Sequence, residues 1–523
     1  MSAIRTAEDQ HRYMTETPVP KLVVSLGIPT VFNQLITVIY NTADTYFVSA
    51  IGTSAAAASG VVFSVMSIIQ AFGFGIAMGA GSLVSILLGE KRDKDAEVIA
   101  SSGFAAAVLL GAAVAAFGLT FLKPLMTVLG ATETMLPYAC DYAEYIFISA
   151  PLMCGSFVLG NILRSEGEAK FAAFGFCIGG VLNMLLDPLL IFTLGLGISG
   201  AAIATAISQT VGFIILFAAF LNGKSVVRLS RKSVSTRFST YYEIISTGIP
   251  TVFRQGLGSV SSALLNRQAS IYGDAAVAAV TIATKVYVLI RNIVIGIGQG
   301  FQPVAGYNFG AGDKKRTGQS FKFAALIGTA VCIVFSILTF IFSKQIIMVF
   351  RDDPEVIKAG TQMLRFFALA VPFLSYSTFV NQLYQCLGFK KSATLLASCR
   401  QGIFFIPLLY ILTHFFGFTG IELTQTVSDL LFFAVSIPFQ AVFFKMFLNE
   451  KEPPRGAFAK MQDGFPLPGK EIRRRRTIFY SCQASAFCCI LKCVFVCGWA
   501  DPARPQCTID QEEEHPCRSS RRY

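Results

Sequence analysis

Apolar residues in this chain fall neither in the short alternation of half-buried strands nor on one face of amphipathic helices. They form runs of about 20 residues separated by short polar breaks. Twelve such runs are predicted as helices, near 20–46, 55–88, 98–121, 137–161, 171–193, 199–221, 241–270, 276–309, 320–343, 357–384, 393–413 and 418–447. Each is long enough to cross the hydrocarbon core of a bilayer. Only helices and closed barrels satisfy their backbone there, and the dyad pattern of barrel strands is missing. The predicted class is an all-α polytopic membrane protein.

The breaks between runs alternate in charge. "GEKRDKDAE" (89–97), "NGKSVVRLSRKSVSTR" (222–237), "GAGDKKRTG" (310–318) and "GFKKS" (388–392) are basic. "IGTSA" (51–55) and "TLGLGISG" (193–200) are uncharged, and "YGDA" (272–275) carries one acid. Basic loops stay in the cytoplasm, so both ends of the twelve-helix body are predicted there, in a multi-pass cell membrane protein. Composition agrees: 54% of residues are hydrophobic and 14% charged. The formal net charge of +12 is spread over these loops rather than gathered on a soluble domain, so no nucleic-acid partner is expected. The polar N-terminal stretch has no secretory-signal pattern, so the first run is expected to be retained.

The chain also repeats itself. "SLGIPTVFNQ" (25–34) returns 221 residues later as "STGIPTVFRQ" (246–255). The same offset carries Gly75 to Gly296, Gly79 to Gly300, Gly89 to Gly310 and Pro151 to Pro372. Two halves of six spans each have the same orientation and are related by an axis along the membrane normal, with a cleft between them. The expected units are an N-terminal bundle (1–222), a cytoplasmic linker (223–240), a C-terminal bundle (241–449) and an atypical Cys-rich tail (450–523). Shared glycines and prolines are read as packing and kink positions, with Pro29 and Pro250 bending the first helix of each half.

Ionisable residues inside the runs carry the chemistry, because each costs at least ~2.5 kcal/mol at a helix centre. Asp187 stands in "VLNMLLDPLLIF" (181–192). It lies roughly 25 Å along its helix from Lys170 at 1.5 Å per residue, in the outer half of the bilayer. Asp44 is near the outer end of the first helix, and Thr205 roughly 12 Å inward from the start of the sixth. Asn183 shares a helix face with Asp187, and Pro188 leaves the carbonyl of Met184 without its helical donor. The predicted result is an oxygen-rich pocket suited to a proton or to Na⁺. Two carboxylates in low dielectric cannot both carry charge cheaply, so one is expected to load and release a proton. Structural alternatives are an interfacial cap for Asp44 and a bond from Thr205 back to its own helix.

The repeat is an internal control: the 221-residue shift puts Leu265 opposite Asp44, and Ile406 or Leu408 opposite Asp187. The acidic pocket is confined to the first half. The second half places Arg254, Lys285 and Arg291 in its spans with Asp429 in the twelfth, a candidate polar cluster whose simplest role is a structural ion pair.

These residues resemble the MATE (multidrug and toxin extrusion) transporters, bacterial branch. The resemblance is carried by "LNMLLDPLLIF" and "GIGQGFQPVAGYNFGAGDKKR" and covers about residues 15–448. It implies two six-helix bundles that export organic cations in exchange for H⁺ or Na⁺ by alternating access. Carried over, the ion-coupling set is Asp44, Asp187, Asn183, Thr205, Tyr40 and Asn161, with hinges at Pro29 and Pro188. The chain departs from members with acids in helices 7 and 10: Arg254 occupies helix 7, and helix 10 has no acid after Glu355. The expected protein is a non-enzymatic, monomeric antiporter of small lipophilic cations and drugs, with no cofactor beyond the coupling ion. The alternative is a lipid or lipid-linked oligosaccharide flippase of related architecture, whose cationic cavity Arg254, Lys285 and Arg291 would supply; the other rival is an uptake carrier. The tail holds an apolar run broken by Lys492, without paired CxxC spacing, so no zinc is expected. The six body cysteines are expected to be unpaired.

Overall fold

The structure, a computed structural model, describes residues 6–445, so the tail lies outside the described residues. Their regular structure is all helical: α1 (Ala7–Glu16), α2 (Val19–Ser49), α3 (Thr53–Gly89), α4 (Asp93–Thr120), α5 (Leu122–Val128), α6 (Leu136–Ser165), α7 (Ala169–Pro188), α8 (Gly197–Leu221), α9 (Phe238–Ser270), α10 (Asp274–Gly310), α11 (Lys314–Ile341), α12 (Ser343–Phe350), α13 (Pro354–Cys386), α14 (Lys390–Ser398), α15 (Phe405–Phe416) and α16 (Phe418–Phe443). Eleven helical segments, counting Ala169–Thr193 and Lys390–Phe416 as one each, are long and apolar enough to cross a membrane. The twelfth span, α9, is long enough but carries Glu243, Arg254 and Arg267. Leu109, Ile214 and Leu326 are among many large apolar residues left exposed, as expected where lipid rather than water covers the surface.

Three short helices, α1, α5 and α12, were not predicted from the apolar pattern. α1 begins at a reciprocal cap: the Asp9 amide donates to Thr6 Oγ1 and the Thr6 amide to Asp9 Oδ2. Two spans predicted as continuous are interrupted. α7 ends at Pro188 and passes into a π-helical turn at Leu189–Thr193, and a second π turn, Cys399–Phe404, joins α14 to α15. Pro188 removes the backbone donor that an α-helix would use there. Pro29 and Pro250, by contrast, lie inside the unbroken helices α2 and α9. The body cysteines are free thiols.

Helices α2–α8 form one bundle around α6, and α9–α16 a second around α13. Between them α2 packs on α10 and α3 on α9. These seams use the repeated glycines in swapped pairs. A Cβ on Gly79 would overlap the Ile244 carbonyl and lie 3.0 Å from Gly248 N, while one on Gly300 would overlap Gly27 and lie 2.8 Å from Leu26 C. Gly89 and Gly310 are equally tight against Tyr307 and Ile86. Thr30 Oγ1 also crosses to the Gly296 carbonyl at 2.6 Å. All these contacts lie in the half of the molecule next to the basic loops.

That face is braced further. Gln10 of α1 donates to the Glu166 carbonyl of the first bundle, while Asn308 and Arg316 of the second donate to the Met14 carbonyl. The linker is folded onto the first bundle: Ser230 and Ser235 amides donate to Ser101 and Ser102, and the amides of Val226 and Val227 donate to the Glu166 carboxylate.

Candidate functional site in the N-terminal bundle

Four helices bring the acidic site together. α2 supplies Asp44 and Tyr40, α6 Tyr142, α7 Asn183 and Asp187, and α8 Thr205. The α7–α8 connection reverses tightly through Gly195 and Gly197, both at left-handed φ (68° and 56°). Gly180, one turn before Asn183, lets α2 close in: a Cβ there would be 3.1 Å from the Tyr40 ring.

Asn183 is the hub. Its Nδ2 donates to Asp187 Oδ1 at 3.3 Å and to Thr205 Oγ1 at 3.2 Å. Tyr142 Oη donates to Asp44 Oδ2 at 3.2 Å. Asp187, Asn183, Thr205 and Tyr142 are buried, Asp187 completely, whereas Asp44 remains partly exposed. The two carboxylates lie close enough for Asp187 to feel the charge of Asp44. Among the described residues neither makes an ion pair. Asp44 Oδ1, Asp187 Oδ2 and Asn183 Oδ1 are buried and have no hydrogen-bond partner. Buried oxygens without donors are costly, and this site carries three of them on two carboxyls and one amide. Thr205 therefore serves as an acceptor for Asn183, and Asp44 as an acceptor for Tyr142.

Asn161 is placed elsewhere. It is 19 residues beyond Tyr142 on α6, about 28 Å along the axis, and its Nδ2 donates to the Phe157 carbonyl. There it lines a small polar cavity, about 20 Å³, between the bundles with Ser85, Arg164, Gln299 and Gln302. Arg164 Nη1 donates across that cavity to Gln299 Oε1. Tyr142 was missed because a tyrosine near a helix end gives no sign of burial; only its hydrogen bond from α6 to Asp44 of α2 reveals it.

The second-bundle cluster differs from the predicted one. Asp429 pairs with Arg400, Nε to Oδ1 at 2.8 Å, and Arg400 comes from the π turn rather than from a predicted site. Tyr287 donates to Asp429 Oδ2 and accepts from Arg400, and Gln425 Nε2 donates to Asp429 Oδ1 at 3.0 Å. Arg254 and Arg291 lie within electrostatic range of Arg400. Lys285 is not in the cluster: it is exposed, because two residues along a helix turn it about 200° from the inward Tyr287.

A chain of two six-helix bundles, sealed along one half and carrying an unpaired acid pair in one bundle, defines a polytopic membrane transporter built from a parallel repeat. The MatE family model matches residues 29–189 and 250–411, one copy in each bundle; the chain belongs to the MatE family. The multidrug export protein MepA of Staphylococcus haemolyticus is 25% identical over 426 residues, covering 81% of this chain and 93% of its own length. MepA of Staphylococcus aureus strain MSSA476 is 26% identical over 423 residues with the same coverage. Among solved structures, an outward-facing multidrug resistance MATE family transporter of the MOP superfamily superposes with a TM-score of 0.80 at 22% identity, covering 85% of this chain and 99% of that one. A MATE in the straight conformation also gives 0.80 at 22%, covering 84% and 99%.

Proposed function

We propose that the protein is an H⁺- or Na⁺-coupled antiporter that exports lipophilic organic cations by alternating access. The observation that carries this reading is the Asp44–Asp187 pair: buried or half-buried, close together, free of cationic partners among the described residues, and each with a buried oxygen that has no donor. The relatives named as multidrug export proteins support the substrate class. The charge of the loops beside the sealed face supports a cytoplasmic position for it.

Helix α2 links the ion to the seal. It carries Tyr40 and Asp44 at one end, and Gly27, Thr30 and Val31 of the inter-bundle contact nearer the other, with Pro29 between the seal residues. Loading the acid pair from outside removes charge and draws α2 against α7. The strain passes along the helix to the hinge at Pro29, displacing the bound cation and resetting the seal. When the ion leaves, the two carboxylates repel and α2 returns.

The test is transport in proteoliposomes with pH and Na⁺ gradients imposed separately, following a fluorescent lipophilic cation. Whichever gradient drives wild-type efflux, Asp187→Asn should abolish ion-driven efflux while the cation still binds. Asp44→Asn should act in the same direction. Undiminished gradient-driven efflux by Asp187→Asn would refute the assignment.

A further inference from the structure

The interior of the second bundle repeats the architecture of the acidic site with opposite charge. By the repeat, α9 corresponds to α2, the α14–α15 span to α7, and α16 to α8. These helices, with α10, direct Arg254, Arg400, Asp429, Tyr287 and Arg291 to one region. The charges do not cancel: three guanidinium groups share the region with one carboxylate, which pairs with Arg400. Nor can Asp429 serve the other two arginines. Its Oδ1 already accepts from Arg400 and Gln425, and its Oδ2 from Tyr287. Arg254 Nη1 and Arg291 Nε are buried and have no acceptor. The other acid of α16, Glu422, is buried seven residues earlier and makes no ion pair among the described residues.

We propose that this region is a second ligand site that takes a monoanionic or dianionic oxyanion group, a carboxylate or a phosphate, between Arg254 and Arg291. A buried guanidinium nitrogen without an acceptor is unfavourable unless an anion completes it. Its planar fork of donors matches carboxylate and phosphate oxygens in pairs. The Arg400–Asp429–Tyr287 network forms the rigid wall, since every polar atom of Asp429 is engaged. Arg254 and Arg291 are partly exposed as whole side chains, so the site opens outward from the bundle core. The ligand is a soluble carboxylate or phosphate, or the phosphate of a lipid headgroup; these share the chemistry and differ in how they arrive.

The experiment measures thermal stabilisation of the purified full chain in three arms: inorganic phosphate, hexanoate at constant ionic strength, and nanodiscs of phosphatidylglycerol against phosphatidylcholine. Saturable stabilisation is expected in at least one arm. Response to phosphate or hexanoate identifies a soluble anion, and response to phosphatidylglycerol alone identifies a headgroup. Arg254→Met and Arg291→Met should each weaken the response at least tenfold, and Arg254→Lys, which keeps the charge but loses the fork, should weaken it less. Asp187→Asn should leave it unchanged, which separates this site from the ion-coupling reading. Absence of saturable stabilisation in all arms, or an equal response in the folded methionine variants, would overturn the proposal.

Discussion

Gly79→Ala tests whether the repeated glycines set the conformational equilibrium. The added Cβ would lie 3.0 Å from Ile244 C and Gly248 N and would overlap the Ile244 carbonyl oxygen. All three atoms belong to the α9 backbone, so no flexible side-chain end can yield, and α3 and α9 must separate. Overpacking of this kind costs about 1–3 kcal/mol. The cost falls only on the state in which the bundles touch. The closed population should therefore drop about 5- to 150-fold relative to the open one. Folding itself should not suffer, because alanine is the better helix former by about 1 kcal/mol. Spin labels on cysteines replacing Lys94 and Lys315, both beside the basic loops, report the separation by pulsed electron resonance. Gly79→Ala should move amplitude to longer distances, and the pseudo-symmetric Gly300→Ala should do the same. Gly60→Ala, with nothing within 4 Å of its added Cβ, is the control. Distances in folded Gly79→Ala identical to those of the control would refute the reasoning.

Two further outcomes follow from buried charges. Glu166 lies outside the spans, where burial pushes its carboxyl up to about 8 against the pull of Ser225 and the amides of Val226 and Val227. Its folded-state affinity for a proton exceeds that of an ordinary carboxyl, so the folded state holds more protons between about pH 4.5 and 8. Its contribution to stability therefore falls as pH rises through that window. Glu166→Gln should flatten that part of a melting-temperature profile, and an unchanged slope would count against it. Asp429→Asn should lower the melting temperature strongly, on the scale of about 3–5 kcal/mol for a broken buried pair. Asp429→Asn combined with Arg400→Met should recover part of the loss, because the stranded guanidinium is gone; additive losses would show that the pair is not coupled.

Fold class, number of spans and the two-bundle repeat were legible in the sequence because lipid imposes a one-dimensional rule: about 20 apolar residues per crossing, whatever the neighbours. The span α9 still follows that pattern in length, although its three charges lower its hydropathy. Asp187, Asn183 and Thr205 were legible because a charge in an apolar run is costly and helical spacing says which neighbours share its face. Proximity between helices was not. Tyr142 and Arg400 entered their sites, and Asn161 and Lys285 stayed outside them, through helix packing and rotation, which no local pattern encodes. The π turns at Leu189–Thr193 and Cys399–Phe404 had the same origin, since Pro188 marks only one of them. The glycine repeat is the intermediate case. Periodicity alone marked Gly27, Gly79, Gly248 and Gly300 as small for a reason, and the tertiary structure decided the reason: they are where the backbones of the two bundles touch, too close for any side chain to come between.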